Sequence, residues 1–101
     1  GWLEMARQMA SKGDMRLALR AVFLATLASL SRFEMVRIAR FKSNRDYELE
    51  LARHAHEWPE APPLFADSVK KFEAVWYGTH QADTDMFRSM IENHRRLGHE
   101  G

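Results

Sequence analysis

The run Ala21-Val22-Phe23-Leu24-Ala25-Thr26-Leu27-Ala28 shows no polar face at helical spacing. A helix that is apolar nearly all round is stable only where other elements cover most of its circumference. This segment is therefore predicted to be the central element of a multi-helix core, with Leu17, Ala18, Leu24 and Leu27 inside. The apolar window from Leu17 to Leu30 is interrupted by Arg20 and falls short of the roughly 20 apolar residues that span a bilayer. At 101 residues the chain fits one domain, residues 1–101, able to bury about two-thirds of its unfolded surface.

Helical periodicity continues on both sides of the central run. Trp2, Met5, Ala6, Met9 and Ala10 form an apolar stripe, and Gly13 follows at the position where a left-handed helix terminus favours glycine. Asp14 is placed to cap the next helix, and so short a turn makes the first two helices an antiparallel hairpin. This hairpin resembles a tetratricopeptide unit, but no second copy follows it. Residues 32–42 read as a connector, either extended or with one helical turn. Ser43 or Asn44 caps a third helix whose Tyr47, Leu51 and Ala55 stripe faces inward. Trp58-Pro59 and Pro62-Pro63 mark a loop, and Pro63 can occupy the first turn of the helix that follows. A fourth helix then carries Phe65, Val69, Phe72 and Trp76 inward and stops at Gly78. A fifth begins near Asp83–Asp85, with Met86, Phe87, Met90, Ile91 and Leu97 on its inner face, and the tail from Gly98 is expected to fray. The predicted fold is all-α: a small bundle of about five helices that begins with an antiparallel hairpin.

The inventory of chemical groups is thin. With no cysteine there is no disulfide, thiolate metal site or Cys nucleophile. No Gly-rich phosphate loop and no Gly-x-Ser-x-Gly elbow occurs. His54 and His56 are two apart, so on a helix they point in nearly opposite directions. His80 with Asp83 and Asp85 sketches a metal site, but acids beside an exposed histidine at a helix start explain the same residues. The expectation is a protein that is not an enzyme, has no cofactor and carries no metal.

Charge is distributed more unevenly than the net value of +1 indicates. Residues 32–45 hold Arg32, Arg37, Arg40, Lys42 and Arg45 against Glu34, a local +4; residues 46–67 hold six acids against Arg53, a local −5. Either the two stretches neutralise each other across the bundle, or the basic one meets an anionic surface or an acidic partner. Phe33 and Phe41 fit core anchors better than base-stacking groups, and nucleic acid is not an expected partner. At the end of the fourth helix, Trp76-Tyr77-Gly78 reads two ways. Aromatics there can form a binding platform; alternatively Trp76 packs inward, Tyr77 bonds a neighbouring backbone and Gly78 is left-handed.

Three motifs, in order, resemble a known family. They are Gly13-Asp14-Met15-Arg16-Leu17-Ala18, then Lys42-Ser43-Asn44-Arg45-Asp46-Tyr47 through Leu51, then Phe72-Glu73-Ala74-Val75-Trp76-Tyr77-Gly78. Together they resemble the helical domain found at the C-terminus of bacterial membrane-anchored transglutaminase-like proteins, over roughly residues 5–95. Ser43 and Asp46 stand where that pattern has threonine and glutamate. The resemblance implies a non-catalytic interaction or regulatory domain on the cytoplasmic side of the plasma membrane, tethered by an upstream transmembrane helix. The transglutaminase-like chemistry belongs to a separate domain with a Cys nucleophile, which this chain lacks. Gly1 in place of an initiator Met fits a piece of a longer protein. The expected contact surface is Arg37, Arg40, Lys42, Asn44, Arg45, Tyr47 and Tyr77, facing a protein partner or an anionic membrane surface. The alternative is a stand-alone protein that binds nucleic acid or an acidic partner through residues 32–45. Partner identity and oligomeric state are left open.

Overall fold

The computed structural model describes residues 1–99. Five helices follow one another: α1 (Trp2–Ser11), α2 (Met15–Arg32), α3 (Asn44–His54), α4 (Ala61–Trp76) and α5 (Thr84–His99). The last two residues of the expected tail, Glu100 and Gly101, lie outside the described residues, whereas Gly98 and His99 continue α5 rather than fray.

Helix α2 is the hub. Both α1 and α5 pack along it, α4 packs on α2 and α5, and α3 is added on the far side of α4. Ten residues of α2 are buried, among them Thr26, whose hydroxyl donates to the Val22 carbonyl at 3.0 Å. That bond lets a polar side chain sit inside without an unpaired group. Phe23 stacks on Phe72 (4.5 Å between ring centroids) and on Phe65 (5.9 Å), joining α2 to α4. Leu19, Leu30, Leu51, Phe65, Met90 and Leu97 are sealed from solvent.

Local signals set the boundaries. Gly13 has φ 84°, its N–H bonds the Ala10 carbonyl, and the Asp14 N–H reaches back to Met9. This is a Schellman terminus, and it turns the chain from α1 into the hairpin. Asp14 then accepts the Leu17 N–H and caps α2. At the other end of α2 the same closure recurs without glycine: Glu34 takes φ 60°, with Glu34 N–H on Ser31 and Met35 N–H on Leu30. Residues 33–43 are an irregular connector. Ser43 and Asp46 make a reciprocal capping box at the start of α3.

Several expectations are corrected. Leu17, in the first turn of α2, lies on the outside (37% exposed), as do Trp2 and Met5 of α1, a helix covered on its α2 side only. Leu24 is half-buried. Gly78 does not use a left-handed conformation; a Cβ there would lie 2.6 Å from the Ala74 carbonyl oxygen, so glycine is needed for a close approach of backbone. Helix α4 begins at Ala61, so Pro63 lies in its first turn as expected and Pro62 joins it there instead of lying in the loop; neither position requires an intrahelical N–H.

Candidate docking surface

The connector between α2 and α3 is irregular but fastened along its length. Val36 is buried in the core. The Met35 carbonyl accepts from His54 Nδ1 at 3.0 Å. Glu50 takes the Lys42 ammonium at 2.8 Å and the Arg37 backbone N–H; Lys42 also donates to the Arg37 carbonyl. Burial works against ionisation of Glu50, yet these donors hold its carboxyl below the usual range. The Tyr47 hydroxyl spans the backbone of Ala39, accepting its N–H at 3.3 Å and donating to its carbonyl at 3.1 Å.

Tyr47 is thus a core residue, and its place in the expected contact surface is withdrawn: only 6% of it is exposed, because its ring is enclosed and its hydroxyl is committed to the connector. Lys42 is only part-exposed and fully engaged with Glu50, so for this residue the basic and acidic stretches do neutralise each other. Asn44 is also a strut, its amide donating to Glu73 of α4 at 3.0 Å. Asp46, whose carboxyl is lowered chiefly by the Ser43 backbone N–H, is spent on the cap.

What the fastening presents outward is different. Ile38 is 53% and Phe41 87% exposed, which reverses the reading of Phe41 as a core anchor. Leu49, on the adjoining face of α3, is also exposed. Phe41 and Leu49 border a shallow cleft of about 310 Å³ that Arg53, the paired Lys42 and Glu50, and the capping Asp46 also line. Arg37, Arg40, Arg45 and Arg53 are exposed, and none forms an ion pair among the described residues. The surface is therefore an apolar tip with a guanidinium collar. Periodicity gave no sign of the tip, because an irregular connector has no period to read.

The other candidates fall elsewhere. Tyr77 caps α4, is 78% exposed and meets Phe72 edge-on; no side-chain hydrogen bond to a neighbouring backbone forms there among the described residues. It lies one turn beyond the Asn44–Glu73 contact. Trp76 is half-buried rather than enclosed: Arg16 covers its face at 3.7 Å, and its indole N–H donates to the Arg16 carbonyl. The three sequence motifs thus interlock, the first with the third through Arg16 and Trp76, the second with the third through Asn44 and Glu73. His80 and Asp83 stand 3.9 Å apart at the surface, and Asp83 spends an oxygen on the Met86 N–H as the cap of α5. Among the described residues no three His, Asp or Glu side chains converge in a metal-holding group, and no helix is long and apolar enough to cross a membrane. Comparison of the chain with family models, with curated proteins and with solved structures gives no match.

Proposed function

We propose that this chain is a non-catalytic docking domain that meets an anionic membrane surface through its α2–α3 connector. The single observation that carries the reading is Phe41: almost fully exposed, between Arg40 and Lys42, on a connector that the protein pins in place. Holding an apolar tip outward costs solvent-exposed hydrophobic area, which is regained if the tip enters the boundary between headgroups and acyl chains. The arginine collar then meets lipid phosphates. The resemblance of its three motifs to the domain of membrane-anchored transglutaminase-like proteins supports the same setting. In it, the domain sits on the cytoplasmic side of the membrane beside an upstream anchor and serves interaction or regulation.

Sedimentation with vesicles is the test. The chain is expected to bind vesicles containing phosphatidylglycerol and not neutral ones. Arg37→Gln with Arg40→Gln should weaken binding roughly thirtyfold, at about 1 kcal/mol per cation near the surface. Phe41→Ser should also weaken it, with helicity unchanged in both. Equal binding to neutral vesicles, or no effect of either variant, overturns the reading. Retention on an oligonucleotide column that falls steeply with salt, without vesicle binding, would replace it with the nucleic-acid alternative.

A further inference from the structure

A second surface, on the opposite partner of α2, carries an inference that does not depend on the connector. Helices α1 and α5 both lie along α2 without packing on each other, leaving a groove of about 330 Å³. Leu3 and Arg7 of α1 form one wall, Ile91 and His94 of α5 the other, and Ser29 and Arg32 of α2 the floor and end. The surface of the groove is largely apolar, yet its only charged side chains are cationic. Arg95 also borders it, but its guanidinium is taken by Glu92. Arg7 and Arg32 have no acidic partner among the described residues, and no carboxylate lines the groove.

The polar groups converge on one hydroxyl. Ser29 is buried; its Oγ lies 3.5 Å from His94 Nε2 and accepts from Arg32 Nη2 at 3.4 Å. A guanidinium and an imidazole at one hydroxyl, with the Arg7 guanidinium on the facing wall and leucine and isoleucine alongside, match the chemistry of a single molecule with an anionic head and an apolar tail. We infer that the α1–α5 groove binds a single-chain amphipathic anion, a phosphate or carboxylate on an alkyl chain, with the head between Arg7, Arg32 and His94 and the chain along Leu3 and Ile91. Burial, and then the charges of Arg32 and Arg7, push the His94 pKa down. An anionic head reverses the electrostatic part of that balance. The groups facing His94 are Arg7 from α1, Arg32 from α2 and, on its own helix, the Arg95–Glu92 pair.

The test uses decyl phosphate below its micelle concentration, titrated into the whole chain by calorimetry, with the His94 ring followed by NMR across pH. One molecule is expected to bind per chain, and the His94 pKa to rise on binding. Arg7→Gln with Arg32→Gln should lose at least about tenfold, as expected for charge-assisted hydrogen bonds. Both arginines are exposed, so circular dichroism should show the fold unchanged. Inorganic phosphate should bind at least tenfold more weakly than decyl phosphate, and decyltrimethylammonium not at all. Equal binding of inorganic phosphate would mean a bare anion site and overturn the amphiphile. Equal binding of the cationic analogue would mean an indiscriminate apolar groove and overturn it too. So would an unmoved His94 resonance or full affinity in the double variant.

Discussion

Asn93 shows how much one side chain can organise. It is 7% exposed in the middle of α5, and its amide donates to Asp67 Oδ2 and to Ser68 Oγ of α4, both at 2.9 Å. Ser68 is sealed from solvent, and Asp67 is further held by Lys71 and by the Ser89 hydroxyl. The α4–α5 contact therefore combines apolar packing with a satisfied polar cluster; among the described residues no buried side-chain polar atom lacks a partner. Removing one member of such a cluster costs more than the bond itself, because the remaining groups stay buried and unpaired. Asn93→Ala is expected to lower stability by about 1–3 kcal/mol. Asn93→Asp should cost more, since it places a second carboxylate against Asp67. Urea unfolding monitored by tryptophan fluorescence checks both, and a loss below about 0.5 kcal/mol for the alanine variant would show that the cluster does not constrain the helix pair. No sequence pattern announces this cluster, because a lone asparagine on a helix has no visible partner until the facing helix is in place.

At the scale of the element, the connector is created by how α2 ends. The Schellman closure at Phe33–Met35 puts Glu34, a residue with a Cβ, into the left-handed region that glycine favours. That conformation costs an ordinary residue roughly 1–2 kcal/mol, while glycine loses about 0.5–1 kcal/mol more chain entropy on folding. Glu34→Gly is thus expected to stabilise the domain by up to about 1 kcal/mol, seen as a higher urea midpoint at unchanged slope. A destabilised variant would mean that the Glu34 side chain contributes more than its backbone strain costs. The contrast between the two ends of α2 also explains what was legible in the sequence. Gly13-Asp14 announces both the end of α1 and the cap of α2, and Ser43 with Asp46 announces α3, because each uses the residue type its geometry prefers. The end of α2 uses glutamate where glycine is usual and leaves no such mark. Tyr47, Leu51 and Ala55 were legible as an inward stripe and all three are buried. Tyr47 belongs to that stripe and is enclosed with it, while Phe41 stands outside any stripe and its exposure leaves no mark in the sequence.

The whole molecule is a hub helix with neighbours on several sides, and its electrostatics follow from that arrangement. Closing α5 against α2 takes His94 partly out of water and sets it near Arg32 and Arg7, so the folded state holds its pKa below the ordinary 6.5. The unfolded chain therefore binds this proton more readily than the folded one, and stability rises with pH in that interval. Read downward, the contribution is complete above about pH 6.5 and is lost as the pH falls through the folded-state value. Asp67 behaves in the same direction but lower: despite partial burial, the Lys71 ammonium and the Asn93 amide hold its carboxyl below the usual range. Its contribution is present above the ordinary aspartate value of about 3.9 and disappears as that carboxyl protonates. Thermal unfolding across pH is thus expected to show two acid steps, one setting in just below pH 6.5 and one below about pH 4. His94→Gln should abolish the first and leave the second; Asp67→Asn should blunt the second and leave the first. A melting temperature in His94→Gln that falls in parallel with the unmodified chain between pH 7 and pH 5 would show that the α2–α5 closure does not control this proton. Decyl phosphate should shrink or abolish the first step in the unmodified chain alone, because an anion that occupies the groove raises the folded-state His94 pKa toward its unfolded value.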